Sequence, residues 1–226
     1  MGMALRRTPF APGEWYHCFS RGVEKRITFE APRDYERFIQ LLYLCNSLEP
    51  VRRDNFKQKS NSEMYETKRA TSLVAIGAYC CMPNHFHLLL QEKAEGGISK
   101  FMHKVGTAYT MYFNIKNERI GGLFVKPFRS KHVSENLYFA QVAQYIHLNP
   151  IELFQPGWKS GAVVDLTRTE QQLREYSYSS LPDYIGDQRP ERAILDTEAF
   201  DLIASQVSNI SDLLVDTAAY YQNLPR

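Results

Sequence analysis

The sequence predicts an α+β domain, a small antiparallel sheet with helices packed on one face. Two observations carry this. Amphipathic helical stretches alternate with short strands in the order β-α-β-β-α-β-α. The centre of the chain reads as a hairpin, Ala78–Gln91 (AYCCMPNHFHLLLQ), turning at Pro83-Asn84. At 226 residues and 44% hydrophobic content, the chain is long enough for one good core, with or without an appendage.

Glu14–Ser20 (EWYHCFS) is aromatic-rich and forms the first strand, ended by Arg21-Gly22. Pro32–Leu48 repeats Tyr35, Phe38, Ile39, Leu42 and Cys45 at helical spacing, with Asp34 in its first turn. Val51–Ser72 is polar, mixed in charge and poor in aliphatics, so it reads as a long surface excursion. Gly96-Gly97 then breaks the chain before a second helix, about Ile98 to Asn117. Its buried stripe is Ile98, Phe101, Met102, Val105, Tyr109 and Tyr112, with Lys100, His103 and Lys104 off it.

Gly121–Val133 alternates Lys126, Arg129, Lys131 and His132 with Phe124, Phe128 and Val133. Cations beside rings suit a strand that meets single-stranded nucleic acid, and an edge strand guarded by lysines has the same composition. Ser134 can cap a third helix, Glu135–Asn149, which Pro150 helps to end. Phe139, Val142, Ala143 and Ile146 form its apolar face, with Tyr138, Tyr145 and Asn149 on the face beside it. Tyr145 and Asn149 are one helical turn apart and can reach the same point. From Trp158 onward the chain is turn-rich and then carries two short acidic amphipathic segments, Thr197–Val207 and Ser211–Tyr221. The expected division is a domain over residues 1–160 and a mainly helical, acidic extension over 161–226 packed on it. The βαββαβ order is the ferredoxin-like plan, and it leaves the sheet face opposite the helices open.

Charge and cysteines narrow the function classes. Residues 1–160 carry a balance of +8 and residues 161–226 one of −6, which favours a polyanionic partner for the body. No apolar run reaches membrane-spanning length, and the start has no apolar signal region. Cys18, Cys45, Cys80 and Cys81 show no CxxC spacing, which fits a reducing, cytoplasmic compartment.

The chemistry centres on the hairpin. Residues two apart on a strand share a face, so His85, His87 and Leu89 point one way and Phe86, Leu88 and Leu90 the other. Two imidazoles side by side can hold a divalent metal on the outside of a sheet, although strand histidines alone are more often hydrogen-bonded structure.

The segment PNHFHLLL (Pro83–Leu90) resembles the HUH motif of single-tyrosine transposases. More specifically it is similar to that of REP-associated tyrosine transposases and the insertion-sequence-200-like family. YHCFSRG (Tyr16–Gly22), DYERF (Asp34–Phe38), FRSKHV (Phe128–Val133) and YIHLNP (Tyr145–Pro150) resemble further parts of that family, so the likeness runs from about residue 10 to about 185. FVKPFRS (Phe124–Ser130) departs from the usual FQGR(F/Y)KS.

The resemblance implies a metal-dependent DNA strand transferase acting on single-stranded hairpin DNA such as palindromic repeats. His85, His87 and Asn149 would ligate Mg²⁺ or Mn²⁺, and Tyr145 would attack to form a 5′-phosphotyrosine and free a 3′-OH. Arg21, Lys100, Lys104, Arg119, Lys126, Arg129, Lys131 and His132 are the expected DNA contacts. A homodimer that exchanges the tyrosine helix and a chain acting in cis are both compatible with it. Two rivals stand beside this reading. One is a DNA-binding regulator on the same fold without cleavage. The other is a zinc module built from Cys80, Cys81, His85 and His87, whose adjacent cysteines point to opposite faces.

Overall fold

The computed structural model describes residues 9–50, 60–69, 71–134, 136–158, 165–205 and 214. Residues 51–59 and 70 of the 51–72 excursion, Glu135, the side chain of Tyr138 and the acidic segment Ser211–Tyr221 (Leu214 aside) lie outside the described residues.

Four strands form one antiparallel sheet in the order β2-β3-β1-β4, where β1 is Trp15–Arg21, β2 Val74–Met82, β3 His85–Glu92 and β4 Arg129–Val133. This is the ferredoxin-like order expected of βαββαβ. Helices α1 (Pro32–Leu44) and α3 (Gly97–Lys116) pack together on the face that carries Phe86, Leu88 and Leu90. Between them in sequence lies the short α2 (Asn61–Tyr65). A buried carboxylate starts α3: Glu92 accepts the amide hydrogens of Gly97 (3.2 Å) and Ile98 (2.7 Å). That is how negative charge and the orphan amides of a helix start satisfy one another.

The second face is not open. Helix α4 (Asn136–Leu148) crosses it against β2, β3 and β4, anchored where the Phe139 ring meets that of Trp15 at 4.7 Å. Its Phe139, Val142, Ala143 and Ile146 are buried, as their spacing predicts. The reason for the covering is composition: Leu89, Trp15 and Val133 give this face its own apolar end. Helix α8 (Thr197–Ala204) extends the covering, with Ile203 completely buried.

The short helix α5 (Ile151–Phe154) leads to α6 (Leu166–Glu175), a helix where the composition from Trp158 onward predicts turns. Asp165 caps α6 by accepting the Arg168 amide at 3.0 Å. Residues 176–180 then pair with β2: the Cys81 amide donates to Tyr178 O (2.9 Å) and the Ser180 amide to Tyr79 O (2.9 Å). Beyond lies α7 (Leu181–Tyr184), whose buried Asp183 is gripped by both arms of Arg189 at 2.6 and 2.9 Å. The same guanidinium donates to Ser177 O and the Tyr79 hydroxyl, tying the segment to the sheet.

At the other edge, β4 is shorter than the predicted Gly121–Val133 strand. Pro127 has no amide hydrogen for a ladder, and residues before Phe128 form irregular turns that meet the end of β1 where the Val125 amide donates to Arg21 O (2.9 Å), with Phe124 bridging to Gly22 just beyond the strand. Among the described residues no helix is long and apolar enough to cross a membrane.

Asp34 ties α1 to α3. Its carboxylate is wholly buried and accepts hydrogen bonds from the Glu30 and Ala31 amides (2.8 and 3.0 Å), the Tyr112 hydroxyl (2.8 Å) and Lys116 Nζ (2.7 Å). Burial pushes its carboxyl up, but Lys116, Tyr112 and the two amides outweigh it and hold the group below the ordinary aspartate value of 3.8. A carboxylate with a depressed folded-state pKa stabilises the fold above its unfolded value, and that contribution is lost as pH falls through the folded value. Asp34→Ala should therefore cost about 2 kcal/mol at neutral pH in urea titrations. The gap to the wild type should narrow as pH drops below about 4.

Candidate active site

Register decides what stands beside the hairpin histidines. In the β1–β3 pair Phe19 lies opposite His87 and Arg21 opposite His85, while in the β1–β4 pair Lys131 lies opposite His17 and Arg129 opposite Phe19. One face of the sheet therefore carries His85, His87, His17, Phe19, Arg21, Arg129 and Lys131. Each hairpin histidine has its Nδ1 engaged. His85 Nδ1 is 2.7 Å from Asn84 Oδ1, and His87 Nδ1 is 2.8 Å from Nε2 of His17. A carboxamide oxygen only accepts, so His85 must carry its proton on Nδ1 and its lone pair on Nε2. His17 and His87 lie nearly parallel, with centroids 5.0 Å apart. Burial, helped by Lys131, pushes the His17 pKa down to about 4, so that ring is neutral at physiological pH.

Helix α4 brings Tyr145 over this pair. Its ring stands edge-on to both imidazoles, 5.7 Å from His17 and 5.8 Å from His87. Asn149, one turn on and buried, donates from Nδ2 to Tyr145 O at 2.7 Å, which leaves its oxygen as the end turned from that carbonyl. The helix is wedged from behind: His147 is fully buried, its Nε2 lies 2.8 Å from Ser180 Oγ, and its ring packs on Tyr184. Burial, with Arg189 nearby, lowers the His147 pKa to about 3, so this histidine acts as packing. Tyr109 and Tyr112 are held elsewhere, bonded to Thr28 O and Asp34.

The predicted cations separate into two sets. Arg21, Arg129 and Lys131 share the histidine face, and Lys126 is exposed on the loop before β4. Lys100 is exposed on α3, at the back of the sheet. Lys104 caps the end of the α1 region, donating to Ser47 O (2.6 Å) and Glu49 O (2.8 Å). Arg119 donates to Asn114 Oδ1 at 2.7 Å, and His132 lies opposite Tyr16 on the other face, 2.7 Å from Glu14.

Sequence reasoning missed His17, Phe19 and Lys25. The signal for the first two was the two-residue alternation His17, Phe19, Arg21 along a strand that a βαββαβ order places next to the hairpin. Lys25 follows in the turn after β1.

All four cysteines are buried, and Cys80 and Cys81 pair with His87 and Phe86 on opposite faces of the sheet. Burial raises the Cys81 thiol well above its ordinary value, which disfavours the thiolate that zinc needs. Among the described residues no group of three His, Cys, Asp or Glu forms a metal cluster. Of the ligands the resemblance implies, His85 and His87 share one face of β3, and Asn149 lies one turn beyond Tyr145 on α4.

Comparison with known proteins bears on family and fold. A family model described as "Transposase IS200 like" matches residues 38–149. A solved structure of a REP-associated tyrosine transposase bound to a REP hairpin superposes with a TM-score of 0.50 at 13% identity, covering 87% of this chain and 96% of that one. At that identity the likeness speaks for the fold. No curated protein sequence matches.

The His85 tautomer is directly measurable. Long-range ¹H–¹⁵N spectra of the metal-free protein should show His85 protonated at Nδ1, and Asn84→Ala should shift it toward the Nε2-protonated form.

Proposed function

Because this chain belongs to the IS200-like transposase family, we propose that it cleaves and rejoins single-stranded DNA at hairpins through a 5′-phosphotyrosine on Tyr145. The observation that carries the reading is the Tyr145 ring set edge-on to His17 and His87, one turn from Asn149. The fold likeness to a transposase solved with a REP hairpin supports hairpin DNA as the substrate class. Tyr145 meets the histidines of its own chain, so the reading needs no exchanged helix.

In the reaction a bond forms between the Tyr145 phenol oxygen and phosphorus as the bond from phosphorus to O3′ breaks. The phenol gives up one proton and the leaving O3′ takes one up, so the phosphodiester is conserved and a 3′-OH can later reverse the step without ATP. A divalent ion held by His85, His87 and Asn149 would supply charge neutralisation at the phosphate oxygens. The chain's own contribution is placement. Asn84 fixes the His85 ring in the form whose Nε2 lone pair can ligate. His17 does the same for His87 when it accepts the His87 Nδ1 proton. Arg21, Arg129 and Lys131 lay positive charge along the face on which a DNA backbone would run.

Two tests bear on this. Incubated with a single-stranded hairpin and Mn²⁺, the wild type should form a covalent protein–DNA adduct on denaturing gels, and Tyr145→Phe should form none. Equal adduct from the variant would overturn the nucleophile. For His17, replacement by Phe should weaken Mn²⁺ binding by about tenfold or more in spin-resonance titrations without DNA, while circular dichroism stays unchanged.

A further inference from the structure

A cavity of about 370 Å³ opens beside His85 and His87, and Tyr145 is not among the residues that line it. Its other walls include Phe19, Arg21, Lys25, Asn84, Val125 and Arg129. The register fixes its position: Tyr145 sits over the His17–His87 end of the strand pair, and the cavity lies toward the Arg21–His85 end. Given the cleavage proposed above, on which this step rests, displacement at phosphorus requires attacking and leaving oxygens roughly in line on opposite sides. With the phosphate at the histidines and the phenol on the His17 side, the leaving O3′ points into the cavity. We infer that the cavity is the subsite for the nucleotide on the 5′ side of the cleaved bond, the one that leaves with the free 3′-OH.

Three features support a built nucleotide site. The volume falls within the small end of the range of ligand pockets, about 300 to 1,000 Å³, matching one nucleotide. Its walls pair the half-buried Phe19 ring, a surface for base stacking, with the cations Arg21, Lys25 and Arg129 around the phosphate that nucleotide carries on its own 5′ side. Finally, the wall is held in costly backbone geometry. Glu24 and Lys25 both adopt φ of 60°, left-handed for side-chain-bearing residues, and a Cβ on Gly22 would lie 2.3 Å from Arg26 O. Hydrogen bonds over-determine the turn: Gly22 N to Asn84 O (2.8 Å), Val23 N to Leu123 O (2.9 Å), Val125 N to Arg21 O (2.9 Å) and Asn84 Nδ2 to Lys25 O (3.2 Å). The result is a rigid corner in which two turns and one loop meet beside the reacting phosphate.

The test places an abasic spacer immediately 5′ or immediately 3′ of the cleaved bond in a hairpin substrate. With wild-type protein the 5′ spacer should slow adduct formation about tenfold. Phe19→Leu should slow it comparably on intact DNA and be indifferent to the 5′ spacer, while the effect of the 3′ spacer stays the same in both proteins. Adduct formation insensitive to the 5′ spacer would overturn the subsite and leave the nucleophile standing. If no hairpin gives an adduct, the cleavage reading fails, and the cavity is judged by binding alone. A single-stranded tetranucleotide ending in a 3′-OH should shift the amide resonances of Lys25 and Asn84, with several-fold weaker binding to Arg21→Ala. Absence of those shifts would overturn the subsite.

Discussion

The antiparallel register between β1 and β3 is the constraint from which the site follows. With Phe19 opposite His87 and Arg21 opposite His85, the turn after β1 meets the Pro83-Asn84 turn, and His17 falls one step along from His87. Because side chains alternate, a slip of one residue would send His17, Phe19 and Arg21 to the buried face under α1 and α3. The histidine pair, its hydrogen-bonded partners and the cavity beside it are thus consequences of one pairing. That pairing is itself held by the burial of Tyr16, Cys18, Leu88 and Leu90.

The tyrosine reaches this face by a different route. Helix α4 has an apolar stripe for the sheet and a buried histidine for the C-terminal segment, so it is clamped between two layers. The clamp depends on Arg189 and Asp183, a buried bidentate pair whose loss on one side characteristically costs several kcal/mol. Segment 176–180 and the histidine face are therefore linked mechanically through α4. The charge balance divides along the chain: +8 over residues 1–160, which supply the cations of the histidine face, and −6 beyond them.

Much of this was legible in the amino-acid order. The Pro83-Asn84 turn, the period-two histidines and the 3.6-residue stripe of α4 are local signals, and the structure places them as the pattern requires. His17 could not be singled out in the same way, since its partner is 70 residues distant and only the sheet order brings the two together. The cavity is further still from any local pattern, because its walls come from β1, two turns and the loop before β4. The sheet face was expected to be open, and α4 with α8 covers its apolar end; Trp15 and Leu89 carried that information, but alternation shows that a face is apolar without showing what lies on it. Helix α6 escaped because LTRTEQQLRE buries only Thr169 and Leu173, too thin a stripe to stand out against its polar residues.

The pairing of residues 176–180 with β2 has a consequence for how the molecule behaves among its copies. A sheet edge with open amides and carbonyls invites the strand of a neighbour. Here the Cys81 amide and the Tyr79 carbonyl are already occupied by the chain's own segment, and the Asp196 amide takes the Ile76 carbonyl further along. The most apolar strand of the sheet, buried along its whole length, is thereby kept from serving as a template for aggregation. At the opposite edge, short β4 with Arg129 and Lys131 is guarded by charge, and the cations suited to a nucleic-acid backbone also discourage a second protein strand.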